Sequence, residues 1–392
     1  MRPSRAIPLV TLAAYGWAWA APAGDPRLLE AVKRRDPKAV ESLLRQRADA
    51  NSTAADGGSA LAWAVHLGDR RMAEALLTSG AKVNTANEYG ESPLTLACLN
   101  GDEIMVGILL RAGADAKAAR WNGETALMIA AGAGSVEAVK ALVTAGADVN
   151  LAESRQGQTA LMWAAAEGHS GVVHALLERG ANVKALSGTG FTPLLFATVK
   201  NDAKSVQALI AAAADPNFAT PGGASPLLAA ASHRSTAAAM VLAEAGANPN
   251  VTDAASGNTP LHLAAQAGDE PLVKLLLAKG AGIDAKTTSN PGRGFFRLPV
   301  GQTPLFVAAR AGRIEMMRQL LDAGANPKSK GPDGNSFLMA AVGSARLDAV
   351  KFAYRFDDDT KVVTADGTTL MHASVTGTSN GGALEAQLRV WR

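Results

Sequence analysis

The stretch Thr259-Pro260-Leu261-His262-Leu263-Ala264 reads as the opening of a helix, residue by residue. A hydroxyl residue accepts hydrogen bonds from the free N–H groups of a helix N-terminus. The proline after it gives up an N–H that has no partner in the first turn. Leu261 and Ala264 stand three apart and so share one face, one large and one small. The same opening recurs with starts at Ser59, Ser92, Thr125, Thr159, Thr192, Ser225, Thr259, Thr303, Ser336 and Thr368, separated by 33, 33, 34, 33, 33, 34, 44, 33 and 32 residues. A period near 33 marks a stack of units, none of which can bury its apolar face alone.

Each unit continues in the same way. A short break at Gly68, Gly101, Gly134, Gly168, Gly268 or Gly312 precedes a second apolar helix, such as Val139 to Val143 or Leu272 to Leu277. That helix stops at Gly-Ala, as in Gly146-Ala147-Asp148-Val149-Asn150, where glycine suits a left-handed C-cap. An extended stretch then reaches a turn such as Asn122-Gly123, which predicts a hairpin-like finger. Residues 25–51 predict a first unit with helices over Leu28 to Arg35 and Ala39 to Arg47.

These units resemble ankyrin repeats, whose hallmarks are T-P-L-H-x-A and G-A-D-V-N, and the resemblance covers nearly all of residues 25–385. It implies an all-α repeat solenoid, an ankyrin array of about ten helix-turn-helix units with β-turn fingers. The array is expected over residues 25–366 with an insertion at 285–300, and residues 367–392 read as an incomplete final repeat. The motif histidine is read only at His262. Leu195, Leu228, Met128, Met162, Thr95 and Phe306 stand in its place elsewhere, which predicts apolar packing where the motif has a polar lock. Ala213-Ala214 replaces Gly-Ala, and a left-handed alanine costs on the order of 1 kcal/mol, which predicts a local rearrangement there.

Composition narrows the function. The 392 residues carry a net charge of +3, which excludes a strongly basic nucleic-acid binder. Aromatics are 5% and alanine about a fifth of the chain, which suits thin, closely packed helices. A lone cysteine, Cys98, excludes an intrachain disulfide framework. Met1 to Arg5 carries two arginines, Ala6 to Ala20 is almost wholly apolar, and Ala18-Trp19-Ala20 and Ala21-Pro22-Ala23 follow. That order predicts a signal peptide over residues 1–23 and an exported protein, periplasmic or secreted, with no membrane segment after cleavage.

Catalytic patterns are scarce. The six histidines are spread over five repeats, with only His169 and His174 in one, and none has H-E-x-x-H or C-x-x-C spacing for zinc. No phosphate-binding G-x-x-x-x-G-K-[ST] loop occurs. Asp357-Asp358-Asp359 lacks the glycine and glutamate of a calcium loop and reads as a solvated turn. No catalytic residue, metal or cofactor is expected.

What remains is surface. In ankyrin repeats the concave groove is lined by the x of T-P-L-H-x-A and by finger tips. The x positions here include Trp63, Trp163, Phe196 and His372, and the tips are read as carrying Tyr89, Trp121, Arg155 and Phe218. Aromatic and guanidinium groups are enriched where interfaces concentrate their energy. Phe295 and Phe296, between Arg293 and Arg297 in the insertion, add an apolar pair with cationic shoulders. The leading reading is a non-enzymatic protein-interaction scaffold with an unidentified protein partner. The second is an accessory segment of a larger exported enzyme or electron-transfer protein.

Overall fold

In the computed structural model, residues 25–288, 301–331, 334–365 and 367–376 are described. They fall into two compact units, divided between Ala147 and Asp148. The first unit holds α1 (Pro26–Lys33), α2 (Pro37–Arg45), α3 (Ala60–His66) and α4 (Arg70–Thr78). It continues with α5 (Pro93–Leu99), α6 (Glu103–Arg111), α7 (Ala126–Ala133) and α8 (Val136–Thr144). The first helices α1, α3, α5 and α7 pack in succession, and the second helices lie against their own partners. The first repeat's helices begin and end about two residues earlier than expected. Pro26 and Pro37 occupy their first turns, and Asp25 and Asp36 cap them.

The second unit holds α9 (Ala160–Glu167), α10 (Ser170–Glu178), α11 (Pro193–Val199), α12 (Ala203–Ala211), α13 (Pro226–His233) and α14 (Thr236–Glu244). It ends with α15 (Pro260–Ala267), α16 (Glu270–Ala278), α17 (Pro304–Arg310), α18 (Ile314–Asp322), α19 (Phe337–Val342), α20 (Leu347–Tyr354) and α21 (Leu370–Thr376). Odd-numbered helices again pack on odd-numbered ones, from α9 through to α21. Both units are arrays of paired helices, as the repeat predicts.

The large–small pairing carries the packing. Leu61, Leu94, Leu127, Leu161, Leu194, Leu227, Leu261, Leu305 and Leu338 are all buried, and the alanine three residues after each is fully buried. Each leucine contributes roughly 2 kcal/mol by leaving water. The alanines set how close the next helix comes, so enlarging one would overpack the stack. Hydroxyl capping is equally regular: Ser59 Oγ accepts from Ala62 N at 3.1 Å, and Thr192 Oγ1 from Leu195 N at 3.3 Å. Thr303 departs from it, since its Oγ1 is buried without a hydrogen-bond partner.

Asparagines clamp successive repeats. Asn150 Nδ2 donates to the Gly180 carbonyl at 3.1 Å while its Oδ1 accepts from Asn182 N at 2.7 Å. Asn217 repeats this with Gly246 and Asn248, and Asn250 with Gly280 and Gly282. In the first unit Asn84 does the same with Gly113 and Asp115. Lysine stands at the equivalent positions 117, 184 and 328. A lysine side chain has no acceptor, so it cannot make a two-way clamp.

Sequence expectations also change at Ala213, at the last repeat and at Asp357. Ala213 does not rearrange its helix end: it takes φ +67 and keeps the cap, with Ala213 N to Ile210 O and Ala214 N to Leu209 O both 2.9 Å. The last repeat starts at Thr369, not Thr368. Thr369 pairs across its finger with Val363, and its N–H donates to His372 Nδ1 at 3.2 Å. His372 is therefore a second motif histidine and not an x residue, and the period there is 33. Asp357 is not a solvated turn residue either. It is buried and its Oδ2 accepts from Leu338 N at 2.8 Å, at the N-terminus of α19.

The insertion keeps an ordinary finger's frame. In the finger before α11, Ser187 N donates to Phe191 O, Gly190 N to Ser187 O, and Phe191 N to Ser187 Oγ. Thr287 N to Gln302 O, Gly301 N to Thr287 O and Gln302 N to Thr287 Oγ1 reproduce all three. The extra residues are thus added at the tip of an intact finger.

Candidate interaction surface

In the first unit, the finger tips are stitched edge to edge by backbone bonds. Glu88 N donates to Asp56 O at 3.1 Å, and Trp121 N to Tyr89 O at 3.3 Å. The approach is close at Gly90, whose φ is +77 and whose Cβ, if present, would sit 2.9 Å from Arg120 Cα. Glycine alone fits that contact without strain. The stitching leaves two aromatic side chains outward: Tyr89 is 50% and Trp121 74% exposed.

Charge gathers on the same tips. Arg120 reaches Glu91 at 3.2 Å and Glu124 at 3.1 Å. Asp56 Oδ1 accepts from Gly58 N at 2.9 Å. The Tyr89 phenol is held above its ordinary pKa by its hydrogen bond to Glu88, with the charges of Glu88, Asp56 and Glu91 adding to it.

Trp63 stands inward of these tips on α3 and is half-buried. Its ring meets His66 edge-on at 5.8 Å, and Lys33 Nζ lies 5.1 Å over its centre. Asp56, Gly58, Ala62, Trp63, His66, Asn87, Glu91 and Leu96 line a cleft of about 40 Å³. That holds a water or two and is far too small for a metabolite.

In the second unit, Trp163 on α9 and Phe196 on α11 occupy the same register of their repeats, both half-buried. Phe196 packs on Phe191 at 5.8 Å. The Trp163 indole N–H is buried with no hydrogen-bond partner. Arg155 is exposed, on a turn organised by the buried Glu153 carboxylate, which accepts from the N–H groups of Arg155, Gln156 and Gln158. Phe218 is not at a tip. The turn runs from Thr220 to Gly223, and Phe218 lies two residues before it. Phe295 and Phe296 lie outside the described residues.

The structure thus brings Tyr89 and Trp121 together along one edge, with Trp63 beside the same fingers. Asp56, Glu88 and Lys33 were missed as site residues in the sequence. For the two carboxylates the available signal was charge within two residues before the tip glycines Gly57 and Gly90, whereas Lys33, at the end of α1, carried no such signal.

Among the described residues, no group of three or more His, Cys, Asp or Glu could hold a metal, and no helix is long and apolar enough to cross a membrane. No curated protein matches the sequence. A family model described as ankyrin repeats, three copies, matches residues 28–120, 105–187, 194–289, 250–331 and 288–366, and no catalytic domain is identified. Repeats of this kind imply protein partners in general. With matches across most of its length, the chain belongs to the ankyrin repeat family.

Proposed function

We propose that this protein is a non-enzymatic scaffold that holds a protein partner on the first-helix faces and finger tips of its repeats, in an exported compartment. The observation that carries the reading is the placing of large aromatics. In a chain with 5% aromatics, Trp63, Trp163 and Phe196 stand at the same half-buried register of first helices, and Tyr89 and Trp121 on tips. Preformed helices and stitched fingers lose little conformational entropy on binding. Export rests on the order of charge, apolar run and small residues in Met1 to Ala23.

The test is capture of a partner from the exported fraction by the tagged protein, followed by titration of that purified partner. Trp163→Ala with Phe196→Ala, and separately Tyr89→Ala with Trp121→Ala, are compared at matched helix content. Loss of about 2 kcal/mol or more in either pair is expected for residues that anchor an interface. Full affinity in both pairs overturns the surface. N-terminal sequencing of exported material is expected to begin near Ala21 or Gly24, and an intact Met1 on cytosolic protein overturns export.

A further inference from the structure

The finger edge of the first unit differs from the fingers of the second in charge. Tip residues 54–58, 87–91 and 120–124 carry four carboxylates, Asp56, Glu88, Glu91 and Glu124, against the single guanidinium of Arg120, a net −3. In the second unit, tip residues 153–157 balance at zero, 187–191 and 220–224 carry no charge, and 253–257, 331–335 and 364–368 carry a single carboxylate each. Arg120 is already shared between Glu91 and Glu124, which leaves Asp56 and Glu88 without a cationic side chain in ion-pair distance among the described residues. Beside these carboxylates stand Tyr89 and Trp121, the two most exposed tip aromatics among the described residues.

We infer that this edge docks a basic, extended segment of the partner protein, its arginine or lysine side chains lying on Trp121 and Tyr89 with their charges facing Glu88 and Asp56. The inference rests on the scaffold reading above and specifies the partner's chemistry. An aromatic face attracts a cation through its quadrupole, and the molecule already uses that contact internally, where Lys33 lies over Trp63. The stitched tips hold both rings and both carboxylates on one rigid edge, so a bound segment meets them in register. A negative edge repels nucleic acid and acidic peptides, because like charges facing each other oppose association.

The experiment uses the full chain and four synthetic probes: peptides alternating arginine with serine, lysine with serine, glutamate with serine, and a serine–glycine control. Calorimetric titration is paired with indole fluorescence, with Trp121→Phe used to separate the Trp121 signal from those of the other five tryptophans. The arginine and lysine peptides are expected to bind, and the other two not. Asp56→Asn with Glu88→Gln, and separately Tyr89→Ala with Trp121→Ala, are each expected to weaken binding about fivefold or more. Raising salt from about 0.05 to about 0.5 M is expected to weaken it further, as exposed charges are screened. Met240→Ala, at an exposed position on α14 outside the proposed contacts, is expected to leave basic-peptide binding unchanged, and an equal loss there overturns the inference. Because Trp121 and Glu88 project from the tips, helix content by circular dichroism is expected to stay constant in every variant. Equal binding of arginine and glutamate peptides, no binding of any basic peptide, or full binding by the tip variants overturns the inference. If the captured partner still depends on Trp163 and Phe196 in that case, the scaffold reading stands and only the basic-segment assignment falls.

Discussion

His262 Nε2 lies 2.9 Å from the carbonyl oxygen of Gln302, and its Nδ1 lies 3.1 Å from the N–H of Thr259. Nδ1 accepts, so the proton sits on Nε2 and donates to Gln302. One neutral ring therefore locks its own helix start to the residue that closes the insertion. Burial pushes the His262 pKa below its ordinary 6.5, against an opposing pull from the Gln302 carbonyl. Below pH 6.5 the unfolded chain binds a proton that the folded ring refuses. This contribution to stability is therefore complete above 6.5 and shrinks as pH falls from there to the folded pKa. Urea unfolding at about pH 7.5 and pH 5.5 is expected to show a loss in the wild type that His262→Leu lacks. Parallel pH dependence in the two proteins would count against it.

Ala213 makes the same cap as the glycines of its neighbours while paying left-handed strain. That strain is about 1–2 kcal/mol, and glycine adds about 0.4–1 kcal/mol of unfolded-chain entropy. Ala213→Gly is therefore expected to stabilise by roughly 0.5–1 kcal/mol in denaturant melts. Gly246→Ala is the mirror experiment: a Cβ there meets nothing within 4 Å, so its cost reports backbone strain alone. A neutral Ala213→Gly would contradict this account.

The asparagine clamps predict a gain and a loss in the same unit. Asn217→Ala gives up bonds to Gly246 and Asn248 and is expected to cost about 1 kcal/mol, the usual net value of such bonds at an exposed site. Lys184→Asn supplies the missing clamp toward the Ala213 carbonyl and Asp215 N–H and is expected to gain a similar amount. A loss of stability in Lys184→Asn would show that the lysine contributes through some other contact.

Periodicity made the helices, their caps and the leucine–alanine faces legible, because each follows from spacing on a single chain. What it could not supply is which repeat-to-repeat bonds form. The asparagine clamps join residues about thirty positions apart, and only the stacked geometry brings Asn150 to Gly180. Thr95 shows the same limit. Read as an apolar replacement for the motif histidine, it instead accepts from Ser92 N at 2.9 Å and restores the polar lock. On the surface, exposed aromatics could be named from the sequence, but the carboxylates beside them gain meaning only once the tips are stitched side by side.

Cys98 is fully buried on α5, and burial pushes its thiol up to about 12. Reactivity requires the thiolate. The native protein is expected to resist a thiol-reactive chromogen at pH 8 and to release one equivalent of colour once unfolded in denaturant. Rapid labelling of the folded protein would place the first unit's core in exchange with solvent.

The insertion gives the last test, because its finger frame is intact. Ser187 and Gly190 are separated by two tip residues, and Thr287 and Gly301 are the corresponding pair. Deleting residues 290–300 leaves Thr288 and Ser289 as a two-residue tip between them and retains every frame bond, including the Gln302 carbonyl that His262 holds. Closing a shorter loop costs less chain entropy, about 0.6 kcal/mol for each halving of length. The deletion is therefore expected to be neutral or to stabilise by on the order of 1 kcal/mol, with the melting curve kept cooperative. The same deletion removes Phe295 and Phe296 together with Arg293 and Arg297. If those residues serve a partner, affinity falls while stability holds or rises. A stability loss above about 1 kcal/mol, with affinity intact, means instead that the phenylalanines pack back onto the protein, since burying one aromatic contributes roughly 1.5–3 kcal/mol.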